Sequence, residues 1–150
     1  MGKALLLHDW KEIILTASEK LNLLNNDKAS LKLNPDKWSI KEIIGHLCDS
    51  AMNNYTRVIN IQLATPNYEI ERYAQNDWVR LAGYQSRDWN SIKDQWLLLN
   101  LAFMKLVENT PEHSFANLAK FENKELSLEF IIVDYVDHLK HHLNQIYELV

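Results

Sequence analysis

The chain has 150 residues, 47% of them hydrophobic and 24% charged, and a formal net charge of −4. That length supports one domain over residues 1–150 with a substantial core, and the absence of any run of Lys or Arg argues against a nucleic-acid surface. Three Gly and three Pro are too few for the turns of an all-β fold, while the single cysteine, Cys48, rules out an internal disulfide and fits a reducing cytoplasm.

The N-terminal stretch MGKALLLHDWKEIILTASEK lacks the charged start, long apolar run and cleavage site of a signal peptide. It reads instead as an amphipathic helix over about Leu5 to Leu24, with Leu6, Trp10, Ile13, Ile14, Ala17, Leu21 and Leu24 on one stripe. The segment NNDKAS ends it. The second helix has the best start signal in the chain. Ser39 and Glu42 form an S-x-x-E capping box, and Trp38 before the cap is placed to staple onto Ile43. This helix runs to about Leu63, with Ile43, Leu47, Ala51, Asn54, Val58 and Ile61 facing inward, and Pro66 stops it.

A connection from residue 64 to about 86 follows, with a short helix expected around Tyr73 to Leu81 and broken by Gly83. The third long helix spans about Arg87 to Glu108, capped by Ser86 or Asp88. Its core face is Trp89, Ile92, Trp96, Leu99, Phe103, Leu106 and Val107. The longest apolar run here, WLLLNLAFM, falls far short of the roughly 18 residues of a membrane span. After a loop, Ser127 caps a fourth helix that reaches the C-terminus, with Ile131, Tyr135, His138, His142, Ile146 and Leu149 in its stripe.

Four amphipathic helices around one core predict an all-α four-helix bundle. The connection between helices 2 and 3 is too long for a tight turn and suits a crossover. Helices 2 and 3 are therefore expected to run parallel, and helices 2 and 4 antiparallel. His46 then lies roughly 10 Å from the start of helix 2, and the midpoint of His138 and His142 roughly 14 Å from the end of helix 4. Those two ends are neighbours, so the three histidines fall at nearly one height, near one mouth of the bundle.

His138 and His142 are four residues apart, which stacks them on one helix face with Cβ atoms about 5–6 Å apart. Both occupy core-facing slots, where an imidazole without a partner costs about 1–3 kcal/mol. With His46 they form a set of three ligands that leaves positions open on a divalent metal, the layout of a catalytic centre. His141 competes with His142 at i, i+3 from His138, but His142 continues the stripe through Ile146. Asp49, three residues after His46, could accept a hydrogen bond from a packed His46 or orient a metal-bound one. Cys48 points to a different side of the helix and reads as a small core residue; His8 and His113 read as surface or loop residues. Arg57, further along helix 2, could help bind an acidic co-substrate, but is better read as a solvated surface residue. Tyr73 and Trp78 are weaker candidates for the lining of a pocket. There is no G-x-S-x-G, P-loop, G-x-G-x-x-G or H-E-x-x-H motif, and the E-x-x-H pairs of a di-iron bundle are missing.

DKWSIKEIIGHLCDS, with Trp38, Ser39, Glu42, His46 and Asp49, resembles the second-helix signature of the DinB/YfiT-like superfamily. DYVDHLKHHLNQI resembles its fourth-helix signature, in which the first and last histidines of an H-x-x-H-H run are ligands. The resemblance implies an up-down-down-up bundle binding one divalent metal, nickel or zinc, through His46, His138 and His142. It further implies a metalloenzyme acting on small molecules: a thiol-dependent S-transferase first, a hydrolase or a non-catalytic metal-binding or small-molecule-binding protein otherwise. Homodimers are frequent in that superfamily. The metal would lower the pKa of a bound thiol or water and so generate the nucleophile.

Overall fold

A computed structural model describes residues 2–150. Four long helices carry the fold: α1 (Lys3–Asn22), α3 (Ile40–Ala64), α5 (Trp89–Asn109) and α6 (Leu128–Leu149). Two short helices lie between them, α2 (Asn26–Ser30) and α4 (Gln75–Ala82), and a hairpin, β1 (Leu118–Phe121) with β2 (Lys124–Ser127), precedes α6. Among the described residues no helix is long and apolar enough to cross a membrane.

Cross-helix contacts fix the directions. Lys3, Trp10 and Asn22 of α1 meet Glu108, Asn100 and Lys93 in descending order, so α1 and α5 are antiparallel. Cys48, Tyr55 and Gln62 of α3 meet Ile92, Phe103 and Thr110 in ascending order, so α3 and α5 are parallel. His46 and Ser50 meet His142 and His138, which makes α3 and α6 antiparallel. The bundle is up-down-down-up, as the sequence predicts.

The helix starts follow local chemistry. Ser39 Oγ accepts from the Glu42 amide at 3.2 Å, and Glu42 Oε1 accepts from the Ser39 amide at 3.1 Å, completing the predicted capping box. Of the two caps considered for α5, Asp88 is the one used, accepting from the Ser91 amide at 3.0 Å. Ser127 caps α6 through the Phe130 amide. Gly83 ends α4 in the left-handed region, at φ 67°.

Three features depart from expectation. The segment NNDKAS does more than end α1: Asn25 caps the five-residue α2 within it. The loop before α6 contains the hairpin, whose strand β1 also pairs with the crossover through Ile70 and Tyr68 on either side of Lys120. The inward face of α3 is not a stripe over its first half, because Ile43–Ala51 is buried at every position. The crossover folds back over this half-helix and covers the side that α5 and α6 leave free.

Gly45 makes that cover possible. A Cβ at this position would lie 2.2 Å from the Tyr84 ring, so Tyr84 rests directly on the α3 backbone. Its hydroxyl then donates to Asp49 Oδ1, one turn further on, at 2.6 Å. Gly45→Ala should lower stability by about 2 kcal/mol through overpacking, despite the higher helix propensity of alanine. Thermal unfolding followed by circular dichroism should show Tm lower by about 4–8 °C; an unchanged or higher Tm would contradict the close Tyr84–α3 contact.

Candidate metal centre

His46 sits two turns inside α3 and is 1% exposed. His138 and His142 project from α6 toward it and are half-buried. They lie beside the α6 core stripe and not within it, because that stripe is centred on Ile132, Val136, Leu139 and Leu143; Leu149, expected inside, is 38% exposed. The ring centroids of His46, His138 and His142 stand 4.5–5.1 Å apart. One nitrogen from each lies within 4.8 Å of the other two.

Two nitrogens sharing a tetrahedral ion, with bonds of about 2.0–2.1 Å, sit about 3.3 Å apart. His46 Nε2 and His138 Nε2 stand at 3.2 Å. The protonation state agrees with a ligand role. Burial lowers the His46 pKa to about 3, helped by the neighbouring His138 and His142. Burial, then His142 and His141, lowers that of His138 to about 4. His142 is lowered by burial as well, against a hydrogen bond to Gln145 that raises it. All three rings are therefore neutral at pH 7 and keep a lone pair for a cation. His46 Nδ1, on the other edge of the ring, is buried with no hydrogen-bond partner. The set fits one divalent ion.

The groups that aim these rings differ from the expected one. Asp49 does not hydrogen-bond His46; its Oδ1 is taken by Tyr84, and its Oδ2 is buried without a partner. Burial raises the Asp49 pKa, against the Tyr84 bond and Arg87. His142 Nδ1–H instead donates to Gln145 Oε1 at 2.8 Å, which leaves Nε2 as the unprotonated ring nitrogen. Ser50 Oγ lies 3.5 Å from His138 Nδ1. Trp38 lies over the His46 ring with centroids 4.9 Å apart and shares the wall of a groove with Ile43. Neither Ser50 nor Gln145 was singled out from sequence; the available signal was their spacing, four residues after His46 and three after His142.

The remaining candidates separate clearly. His141 is exposed and outside the cluster. Cys48 is fully buried, and its thiol pKa is pushed up to about 12, mainly by burial. Arg57, expected to be solvated, is half-buried and donates to the Glu71 carbonyl at 2.7 Å. Tyr73 and Trp78 pack edge to face at 5.1 Å in the crossover, and Tyr73 lines a cavity beside His138.

Two cavities adjoin the triad. A groove of about 520 Å³ opens past His142, with Leu31, Leu33, Trp38, Ile43 and Leu149 among its walls and Lys37, Gln145 and Glu148 among its polar groups. A cavity of about 110 Å³ lies past His138 and is lined almost wholly by polar side chains.

The relatives agree with this geometry. A protein of Halalkalibacterium halodurans, whose name proposes a metal-dependent hydrolase, is 25% identical over 91% of this chain and 82% of its own length. A protein of Oceanobacillus iheyensis with the same proposed activity is 27% identical over 84% of this chain and 73% of its own. Among solved structures, YfiT from Bacillus subtilis superposes with a TM-score of 0.85 at 19% identity, over 98% of this chain and 85% of that one. It is described as having an unusual four-helix bundle topology and metal-dependent hydrolase character. A mycothiol-dependent maleylpyruvate isomerase superposes with a TM-score of 0.75 at 11% identity, covering 95% of this chain and 60% of that one. The DinB superfamily model matches residues 15–146, and on that match the chain belongs to the DinB superfamily.

Proposed function

We propose that the protein is a metalloenzyme in which His46, His138 and His142 hold one divalent transition metal, nickel or zinc, and that it transfers a thiol to small electrophiles. The observation that carries this reading is the meeting of three neutral imidazoles, two of them 3.2 Å apart, beside a groove large enough for a small molecule. When bound, such an ion supplies a +2 charge and open positions that lower the pKa of a thiol or water held there.

The chain's own residues divide the remaining work. Gln145 fixes the His142 ring, and Trp38 covers His46 on its outer side. The leucines, Ile43 and Trp38 of the groove receive an apolar part of the substrate and exclude water from it. No carboxylate joins the cluster among the described residues, and the Asp49 Oδ1 is committed to Tyr84. Thiols have pKa values near 8.5, so one held beside a divalent ion would need no dedicated base to ionise near neutral pH. Water benefits more from a positioned carboxylate, such as the Glu of H-E-x-x-H sites. This favours thiol transfer, as does the thiol-dependent isomerase among the structural neighbours. Hydrolysis is the second reading, favoured by the names of the sequence relatives. We place the protein in the cytoplasm as a homodimer, a state that light scattering would test.

Chelator-treated protein should gain several degrees in Tm on adding zinc or nickel, since a ligand at 100 times its Kd stabilises by about 2.7 kcal/mol. His138→Ala and His142→Ala should each abolish the gain, whereas His141→Ala should keep it. Loss in His141→Ala alone would overturn the ligand assignment. Gln145→Ala should keep the fold but weaken metal affinity about 10–100-fold, read by competition with a chromogenic chelator. The metal-loaded protein should consume a low-molecular-weight thiol with monochlorobimane faster than metal-free protein. Equal rates, together with ester or amide cleavage without thiol, would replace the transferase by a hydrolase.

A further inference from the structure

The small cavity past His138 lacks the leucines and isoleucine that share the walls of the groove past His142 with charged side chains. Its volume is about 110 Å³, and it brings together Ser50, Asn54, Arg57, Tyr73, Asp134 and His138. Four elements build it: α3, the crossover, the start of α4 and α6. Two of its side chains carry opposite charges, Arg57 from α3 and Asp134 from α6.

Arg57 is held in place without being used up. Its Nη2 donates to the Glu71 carbonyl at 2.7 Å and its Nη1 to Asn54 Oδ1 at 3.4 Å. The guanidinium carbon lies 6.0 Å from the centre of the Tyr73 ring. A guanidinium carries five N–H donors, so three remain for a ligand. Asp134 is on the rim, where burial and the neighbouring Asp137 raise its pKa and Arg57 lowers it. Burial pushes the Tyr73 pKa up to about 12, so its phenol stays neutral. Asn54 Nδ2 donates to the Ser50 carbonyl at 2.9 Å and lies 3.3 Å from Ser50 Oγ. The cavity is thus braced by its own hydrogen bonds, with one cation and one anion at its edge.

We propose that this cavity binds the zwitterionic head of an α-amino acid, its carboxylate on Arg57 and its ammonium on Asp134. The substituent on the α-carbon then faces His138 and the triad. An apolar ligand would leave these polar groups unpaired, and a simple anion would meet the Asp134 carboxylate as well as Arg57. A compact ligand bearing both charges answers both groups at once. This rests on the proposed metal centre only for its consequence, that the co-substrate is an amino-acid derivative whose side chain carries the reacting group.

The test uses L-alanine, propionate and ethylamine as probes, each titrated into zinc-loaded and chelator-treated protein. Binding is read from the NMR shifts of the Asn54 side-chain amide and the Arg57 Nε–H, and in variants from the Asn54 amide. Alanine should bind in both forms, about ten- to hundred-fold more tightly than either single-charge probe, as expected for one charge-assisted contact. Arg57→Met should reduce alanine to the level of ethylamine, and Asp134→Asn to that of propionate. Arg57 also anchors Glu71, so Arg57→Lys serves as a second variant and should retain part of the preference for alanine over ethylamine. Equal binding of the three probes, or an alanine preference that survives both Arg57→Met and Asp134→Asn, would overturn the proposal. Its failure alongside an intact zinc-induced rise in Tm would leave the metal centre standing. Alanine binding without any zinc effect would support this cavity and remove the metal centre.

Discussion

One buried amide sets the height of the site. Asn100 is fully buried in α5. Its Oδ1 accepts from Trp10 Nε1 of α1 at 3.2 Å and from the Tyr135 hydroxyl of α6 at 2.7 Å. Its Nδ2 donates to the Trp96 carbonyl at 2.9 Å. Apolar packing is non-directional and tolerates some sliding of one helix along another; these hydrogen bonds do not. A slip of α6 by one turn would move His138 about 5.4 Å along the helix axis and strand the Tyr135 hydroxyl, at a cost of about 1–3 kcal/mol. Tyr135 lies three residues before His138, so the register held by Asn100 passes directly to the triad. The rings of Trp10, Phe103 and Tyr135 pack around the same point at centroid distances of 4.8–5.3 Å, and Tyr55 adds α3 at 6.1 Å from Phe103.

A second lock acts from the opposite side of α3. His46, Asp49 and Ser50 are all buried polar residues on a helix wrapped on every side. A half-helix of this kind is expensive unless each polar group has a role. Asp49 anchors Tyr84, and through it the crossover; Ser50 joins His138 and Asn54; His46 faces the other two histidines. Gln85 strengthens the same closure, accepting from the Ser39 hydroxyl and donating to the Ser30 carbonyl. The crossover is therefore structural cover for α3 and, through Tyr73, a wall of the cavity beside the triad.

What was legible in the sequence was mostly local. Capping residues and apolar spacing act within one or two turns, so the four long helices, the Ser39–Glu42 box and the Gly83 break could be read directly. The triad was legible because an i, i+4 pair and a two-turn offset translate into heights along antiparallel helices. Asn100 was not, because a lone Asn gives no sign that two aromatic donors from other helices converge on it. Asp49 was expected to face His46; its direction depends on Gly45, whose missing side chain admits Tyr84, which lies 39 residues further along the chain. The hairpin was missed because its strands are short and largely exposed, and it docks by pairing with the crossover some fifty residues earlier. Ser50 and Gln145 depend on side-chain rotamers that spacing alone does not reveal.

The two cavities give the triad a direction that three histidines alone would lack. On the His142 side the walls mix leucines, Ile43 and Trp38 with charged side chains and open to solvent; on the His138 side they are almost wholly polar and the cavity is small. If the cavity takes a zwitterionic head as proposed, an apolar member of the substrate pair is disfavoured there, because it would leave Arg57 and Asp134 against hydrocarbon. The reacting atoms of the two proposed members would then meet beside the three imidazoles. Orientation of this kind is a large part of what an enzyme contributes to a bimolecular reaction. In this fold it follows from Asn100 and Gly45, which hold α6 and the crossover at the heights where the two walls face each other across the triad.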